Sequence, residues 1–365
     1  MDKTLQTIEK KVYSGQRINT DDALKLFASG DIIAIGKMAD FMRKKNASDE
    51  VYYSYNLNIN PTNVCELRCD LCAFSKDAGE PGSYELTFDE MMLKVREMAG
   101  TDPEDLFEVH IVGGLSPKYG LDFYVKLLKA IKAVRRGISI QAFTAVEIEY
   151  LAELSKLEVL DVLKKLKSAG LDTMPGGGAE IFNKRVRDKI CAKKISAKKW
   201  LGVMEKAHSL GISTNATMLY GHIETDAERV EHLEMLRNLQ DRTGGFKCLV
   251  PLSFHQANTK VARTRVNTGY DDLKVIAVGR IFLDNFPGVK ALYTSLGLKF
   301  AQTALFFGAN DLGGTSFDER IVKAAGANFV DGITELDLIK IIKGAGRIAV
   351  RTDSTYTKKS LRSVK

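Results

Sequence analysis

From about residue 51 onward strand-like and helix-like stretches alternate, and no other feature restricts the fold as much. The segments "YYSYNLNIN", "FEVHIVGG", "ISIQAFTA", "LDTMPGGG", "STNATMLYG", "CLVPLSFH" and "VKALYTSLG" read as strands. Between them, "FYVKLLKAIKAVRRG", "VLDVLKKLKSAG", "AKKWLGVMEKAHSLG" and "AERVEHLEMLRNLQ" carry apolar residues at helical spacing. Most of these helices end at glycine, which takes the left-handed stop without strain. Repeated strand–helix units of this length imply a parallel sheet with helical crossovers. With a short last strand in "NDLGGTS" there are eight units, which predicts an α/β fold of the (β/α)8 TIM-barrel kind or an incomplete version of it. Residues 1–50 read as an N-terminal helical extension, one helix starting at Thr20 with Asp21 and Asp22 and stopping at Gly30. The core barrel is expected over 51–285. Residues 286–365 are expected to complete it and to end in a basic tail, "RTDSTYTKKSLRSVK", that is solvated and frayed.

Barrels of this kind keep their chemistry on the loops at the C-terminal ends of the strands. The unusual residues fall there: three cysteines after the first strand, Gly113-Gly114 after the second and Glu147 after the third. The run Gly176-Gly177-Gly178-Ala179-Glu180 follows the fourth, His222 the fifth and His255 the sixth. No apolar run is long enough to span a bilayer and the N-terminus lacks an apolar signal segment, so a cytoplasmic location without a membrane partner is expected. The net charge of +7 comes from 53 Lys+Arg against 46 Asp+Glu. It forms no basic stripe interleaved with aromatics, which argues against nucleic acid and suits a small anionic substrate.

Cys65, Cys69 and Cys72 lie within eight positions, whereas Cys191 and Cys248 stand alone and read as structural. Clustered cysteines in a cytosolic chain point to metal or redox chemistry and away from disulfides. A structural zinc site wants four protein ligands. The fourth would have to be remote, such as His110 or His222, and spacing alone leaves that alternative open. Glu66, Arg68 and Asp70 make the loop too polar for three cysteines acting as small apolar residues. Soft thiolates suit an iron–sulfur cluster, and three of them on a cubane leave one iron for an outside ligand.

The spacing C-x3-C-x2-C directly after a first barrel strand resembles that of the radical S-adenosylmethionine (SAM) enzymes, with Leu71 where they usually carry an aromatic residue. The motifs "HIVGGL", "AFTAVEIEY", "GLDTMPGGGAEIF", "TNATMLYGHIET", "PLSFHQANT" and "FGANDLGGT" resemble, in order and spacing, those of the aminofutalosine synthases over about residues 50–345. The resemblance implies a [4Fe-4S] cluster on Cys65, Cys69 and Cys72, SAM as cosubstrate, and an electron donor such as flavodoxin or ferredoxin. It also implies a reaction in which the 5′-deoxyadenosyl radical adds to 3-[(1-carboxyvinyl)oxy]benzoate. Aryl migration and loss of carboxylate then give 6-amino-6-deoxyfutalosine, on a route to menaquinone. Sister enzymes on the same scaffold, the dehypoxanthine futalosine cyclase and the deazaflavin-forming half-enzyme, are the alternative. A non-enzymatic iron–sulfur protein is a further reading, which would not need acids at the strand ends.

Within that implication Gly113 and Gly114 give the main chain access to the methionine amino group. Glu180 is the candidate for the ribose hydroxyls, and Glu147 joins the cofactor set. Arg187 is assigned to the methionine carboxylate through its bidentate fork, with an ordinary surface charge as its other reading. His222 and His255 end adjacent strands and are expected to meet over the barrel mouth and orient the substrate, together with Tyr220 and Asn215. His110, Asn258 and Asp311 are further candidates. Each has a plain structural reading as well: a strand-end histidine often satisfies backbone groups, Asn215 can tie loops, and Asp311 suits a turn.

Overall fold

The computed structural model describes residues 3–101, 107–135, 137–329, 333–357 and 359–361. Seven strands lie side by side and parallel: β1 (Glu50–Ile59), β2 (Phe107–Ile111), β3 (Ser139–Ala142), β4 (Thr173–Met174), β5 (Ser213–Tyr220), β6 (Phe246–Ser253) and β7 (Gly288–Val289). β8 (Asp311–Gly314) runs parallel to β1 and meets β7 at a bridge between Lys290 and Asp311. At that seam Asn310 N–H donates to the Val289 carbonyl at 3.0 Å and Ala291 N–H to the Asp311 carbonyl at 2.8 Å. The eight strands thus join into the barrel that the alternation predicts.

Helices cover the outside with their apolar stripes. The helix Val159–Ala169 buries Val159, Val162, Leu163 and Leu166, the spacing of one helical face, and stops at Gly170 with φ +117°. Before the barrel come α1 (Lys3–Tyr13), α2 (Thr20–Ala28) and α3 (Ile32–Ala47). Asn19 caps α2, exchanging bonds with Asp22, so the helix begins one residue after its cap. The last two of these helices pack on the barrel's own helices, α2 on Asp226–Thr243 and α3 on Gly269–Phe282.

Two expectations are corrected. In "VKALYTSLG" the strand is confined to its start, and Tyr293–Leu296 is a helical turn. Beyond the bridge at Lys290 the chain leaves the sheet, and Leu292, Thr294 and Ser295 line the central cavity. The basic tail is not frayed over its described part. β9 (Ile348–Thr352) pairs in parallel with the first half of β1, and β10 (Lys359–Leu361) pairs antiparallel with β9. Arg351 is fully buried, Asp353 and Ser354 are buried, and Tyr356 stacks on Tyr52 at 5.1 Å and donates to Asp311. The polar inner residues at this end of the barrel need partners, and the tail supplies them: Lys247 donates to the Ser354 carbonyl. Residues 362–365 lie outside the described residues.

Alternate strand residues point inward. Ser54, Asn56 and Asn58 of β1, Glu108 and His110 of β2, Gln141 of β3, and Asn215 and Thr217 of β5 all line the interior. In place of the bulky apolar layers that usually fill such a barrel, they border a cavity of about 400 Å³ at the C-terminal ends of the strands.

Candidate active site

All three clustered cysteines line this cavity and are partly exposed to it. Backbone bonds fix their loop: Cys65 N–H donates to the Lys76 carbonyl at 3.1 Å, Cys72 N–H to the Cys69 carbonyl at 2.9 Å, and Leu71 N–H to the Ile190 carbonyl at 3.2 Å. Among the described residues no three Cys, His, Asp or Glu side chains gather closely enough to hold one metal ion. Three soft thiols, partly exposed on one wall of the cavity, are the donor set that an iron–sulfur cluster takes. Leu71, which replaces the usual aromatic residue, lines the cavity beside them.

Gly113 and Gly114 pack against the backbone of the same loop. A Cβ on Gly114 would lie 2.1 Å from the Val64 carbonyl oxygen, so only glycine fits, and Gly114 N–H donates to the Thr62 carbonyl at 2.8 Å. Glu147 lines the cavity, but its carboxylate accepts from Gly113 N–H at 3.0 Å and from Thr144 N–H at 2.7 Å. It is the third residue of the helix Ala145–Ser155 and forms a reciprocal cap with Thr144. Burial outweighs these bonds and pushes its pKa up to about 7. The spacing T-x-x-E in "FTAVE" announces this cap in the sequence, and the carboxylate's first task is to hold the glycine turn.

Glu180 also lines the cavity, with φ +49°, and pairs with Lys194 at 2.5 Å. Burial pushes its pKa up, but the Lys194 ammonium more than offsets this and holds it below the usual carboxylate range. Lys194, absent from the expected set, is the cation that the site presents here, in the electrostatic range of Cys69. Arg187 does not reach the cavity. It is 5% exposed, and its guanidinium donates to the carbonyls of Ala179 at 2.6 Å and Ile195 at 2.5 Å. It is neither the surface charge nor the cosubstrate's partner, but the clamp joining the Glu180 turn to the Lys194 segment. A fork with five donors suits bare carbonyls inside as well as it suits a carboxylate.

The two histidines do not meet in the cavity. His255 lines it, with Nε2 2.9 Å from the Ser295 carbonyl. His222 is buried behind the wall: Nε2–H donates to the Leu219 carbonyl at 3.0 Å and Nδ1 accepts from Ile223 N–H at 2.8 Å. Both nitrogens are used by backbone groups and burial lowers the pKa, so the ring is neutral and its 3.0 Å approach to Glu224 is no ion pair. Glu224 is instead paired with Arg229. Asn215 faces the cavity and donates to Gln141 at 3.2 Å. Tyr220 points outward and donates to Asp272 at 2.7 Å. Positions 215 and 220 of one strand differ by an odd number and lie on opposite faces, so strand period alone separates them. Asn258 lies outside the cavity, its amide bonded to the Ala324 carbonyl, and Asp311 sits at the barrel floor.

Period-two alternation along β1–β3 is the sequence signal for the polar floor of Asn56, Asn58, Glu108, His110 and Gln141. His110 donates from Nδ1 to Asn58, whose own amide is anchored on the Phe317 carbonyl, while Nε2 has no partner among the described residues. Burial and the nearby Lys290 and Lys247 push its pKa down to about 4, leaving it neutral.

Residues 59–236 match the model of the radical SAM superfamily, and residues 243–363 match that of the CofH/MqnC C-terminal region. The chain is 41% identical to the aminodeoxyfutalosine synthase of Thermus thermophilus, covering 97% of this chain and 96% of that one. It is 39% identical to the 5-amino-6-(D-ribitylamino)uracil–L-tyrosine 4-hydroxyphenyl transferase of Methanosphaerula palustris, covering 98% of each. In fold it is similar to methylornithine synthase, with a TM-score of 0.71 at 16% identity over 93% of this chain and 96% of that one. The [FeFe]-hydrogenase maturase HydG superposes with a TM-score of 0.75 at 17% identity, over 97% of this chain and 77% of that one.

Proposed function

The chain belongs to the radical SAM superfamily, and from that premise we propose that it is an aminodeoxyfutalosine synthase of menaquinone biosynthesis. In this reading it joins the adenosyl group of SAM to 3-[(1-carboxyvinyl)oxy]benzoate, with aryl migration and loss of carboxylate, and releases methionine and 6-amino-6-deoxyfutalosine. The observation that carries the reading is the 41% identity to the Thermus enzyme over nearly the whole of both chains.

Enzymes of the superfamily work with a [4Fe-4S] cluster and SAM, which together supply a 5′-deoxyadenosyl radical. Cys65, Cys69 and Cys72 would hold the cluster. Glu180 and Lys194, a balanced pair at the cavity wall, offer an acceptor for ribose hydroxyls or an ammonium and a donor for a carboxylate. Gly113 and Gly114 keep the main chain close to the cysteine loop, and Glu147 holds that turn through the Gly113 N–H. Val250, Leu252 and Leu292 give part of the cavity an apolar wall that covers an aryl ring and keeps water from carbon radicals. The polar floor keeps the substrate's anionic end from being stranded without donors. An external reductant, a flavodoxin or ferredoxin, is part of the proposal.

A second reading, transfer of the 4-hydroxyphenyl group of L-tyrosine, has support from the 39% identity to the Methanosphaerula enzyme. Anaerobic incubation of reconstituted protein with reductant and SAM separates the two. Adenosyl label recovered inside a product of the vinyl ether benzoate supports the first. Free 5′-deoxyadenosine formed only with L-tyrosine and the ribitylaminouracil would replace it with the second.

A further inference from the structure

Four carboxylates and two lysines line the cavity. Each carboxylate has a partner. Glu147 and Glu319 accept from backbone N–H groups, Glu180 from Lys194, and Glu108 from Gln141 at 3.4 Å. Lys194 is committed to Glu180 on the side of the cysteines. Lys290 differs. Its ammonium has one side-chain partner among the described residues, Asp311 at 3.3 Å, a long contact for a charged pair, and Asp311 is already served by Tyr356 and by Gly313 N–H at 2.6 Å.

Lys290 stands where the barrel closes, bridged to β8 and with its backbone N–H on the Leu249 carbonyl at 2.8 Å. It belongs both to the cavity and to the polar layer beneath it, so its head lies at the floor, away from the cysteine loop at the mouth. The titratable groups around it include Glu108 and His110 from β2, Lys247 and Cys248 from β6 and Asp311 from β8. His110 is neutral, and unpartnered at Nε2 among the described residues, so it adds no competing cation there. Burial lowers the pKa of Lys290 but Asp311 more than restores it, and the ammonium stays charged.

We propose that Lys290 is the anchor for the benzoate carboxylate of the substrate, and so sets the preference for a diacid. The inference rests on the aminodeoxyfutalosine synthase reading. The vinyl carbon must face the cosubstrate near the cysteines, and the enolpyruvyl carboxylate is attached beside that carbon. The benzoate carboxylate is the far end of the molecule, and the floor is where it arrives. Val250, Leu252 and Leu292 line the same cavity with apolar surface.

The test measures equilibrium binding to cluster-loaded protein with SAM and no reductant, so that nothing turns over. The ligands are 3-[(1-carboxyvinyl)oxy]benzoate, its benzoate methyl ester and its enolpyruvyl methyl ester. Wild type is expected to prefer the diacid to the benzoate ester about a hundredfold, the scale of losing one partner of a desolvated charge pair. In Lys290→Met the preference is expected to shrink to about threefold, while Lys290→Arg keeps most of it. Because Lys290→Met strands Asp311, the pair Lys290→Met with Asp311→Asn is measured as well, with iron content and melting temperature confirming the fold. A benzoate-ester preference that survives in the folded double variant overturns the assignment. So does a loss confined to the enolpyruvyl ester. If wild type makes the adenosylated product but Lys290 variants keep their discrimination, this inference falls and the function stands. If wild type neither binds nor converts the diacid, both fall.

Discussion

Replacing Arg187 with Met distinguishes the role that the structure gives this residue from both roles that the sequence suggests. The guanidinium is 5% exposed and satisfies the carbonyls of Ala179 and Ile195 at 2.6 and 2.5 Å, with Ile181 further off at 3.5 Å. Methionine fills most of the volume and donates nothing. Two buried carbonyls then lose their partners, at about 1–3 kcal/mol each, and the expected loss is about 3–5 kcal/mol with the added effect on the packed turn. For a chain of this length that is roughly 4–7 °C in melting temperature. The assay is thermal unfolding of the protein without cluster or SAM, followed by SAM binding to the reconstituted variant. A surface charge would change the melt by under about 0.5 kcal/mol. A direct partner of the methionine carboxylate would leave the melt alone and weaken SAM. An unchanged melt with lost SAM affinity therefore refutes the clamp and returns Arg187 to the cosubstrate.

Single changes of Cys65, Cys69 or Cys72 to Ala are expected to abolish cluster incorporation, read as iron and sulfide per chain, whereas Cys191→Ala and Cys248→Ala retain it. Both of the latter thiols are buried, which pushes each pKa up to about 11. Glu180→Gln is expected to weaken SAM binding roughly ten- to hundredfold with the cluster intact, since it removes the charge from a bond to a hydroxyl or ammonium. Wild-type affinity in that variant removes Glu180 from the cosubstrate site. Acid should destabilise the protein from about pH 6.5 downward. His232, His208 and His110 are held neutral by burial, with pKa values pushed down to about 3, 4 and 4. Below their ordinary value of 6.5 the unfolded chain takes up protons that the folded one refuses, which costs roughly 2 kcal/mol for each at pH 5. A melting temperature that is flat between pH 7 and pH 5 contradicts that account.

The alternation of strand and helix, the place of the cysteines after the first strand, and the glycines at strand ends were all legible in the sequence, because each is a local property. Strand pattern, loop position and the need for a missing Cβ are written in neighbouring residues. The capping role of Glu147 and the opposite faces of Asn215 and Tyr220 are local too, and T-x-x-E spacing and strand period would have yielded them. Tertiary structure alone decided the rest. Arg187 and Lys194 are both basic residues on one stretch of chain, and nothing in their spacing says that one turns in to clamp carbonyls while the other faces the cavity. His222 and His255 end adjacent strands, yet one ring is consumed by its own turn. The tail from Arg351 to Tyr356 reads as solvated, but it is buried because the barrel's polar floor, assembled from strands hundreds of residues apart, leaves Lys247 and Asp311 in need of partners. A charge is free or spent according to what the fold brings within about 3 Å of it, and a linear pattern does not carry that distance.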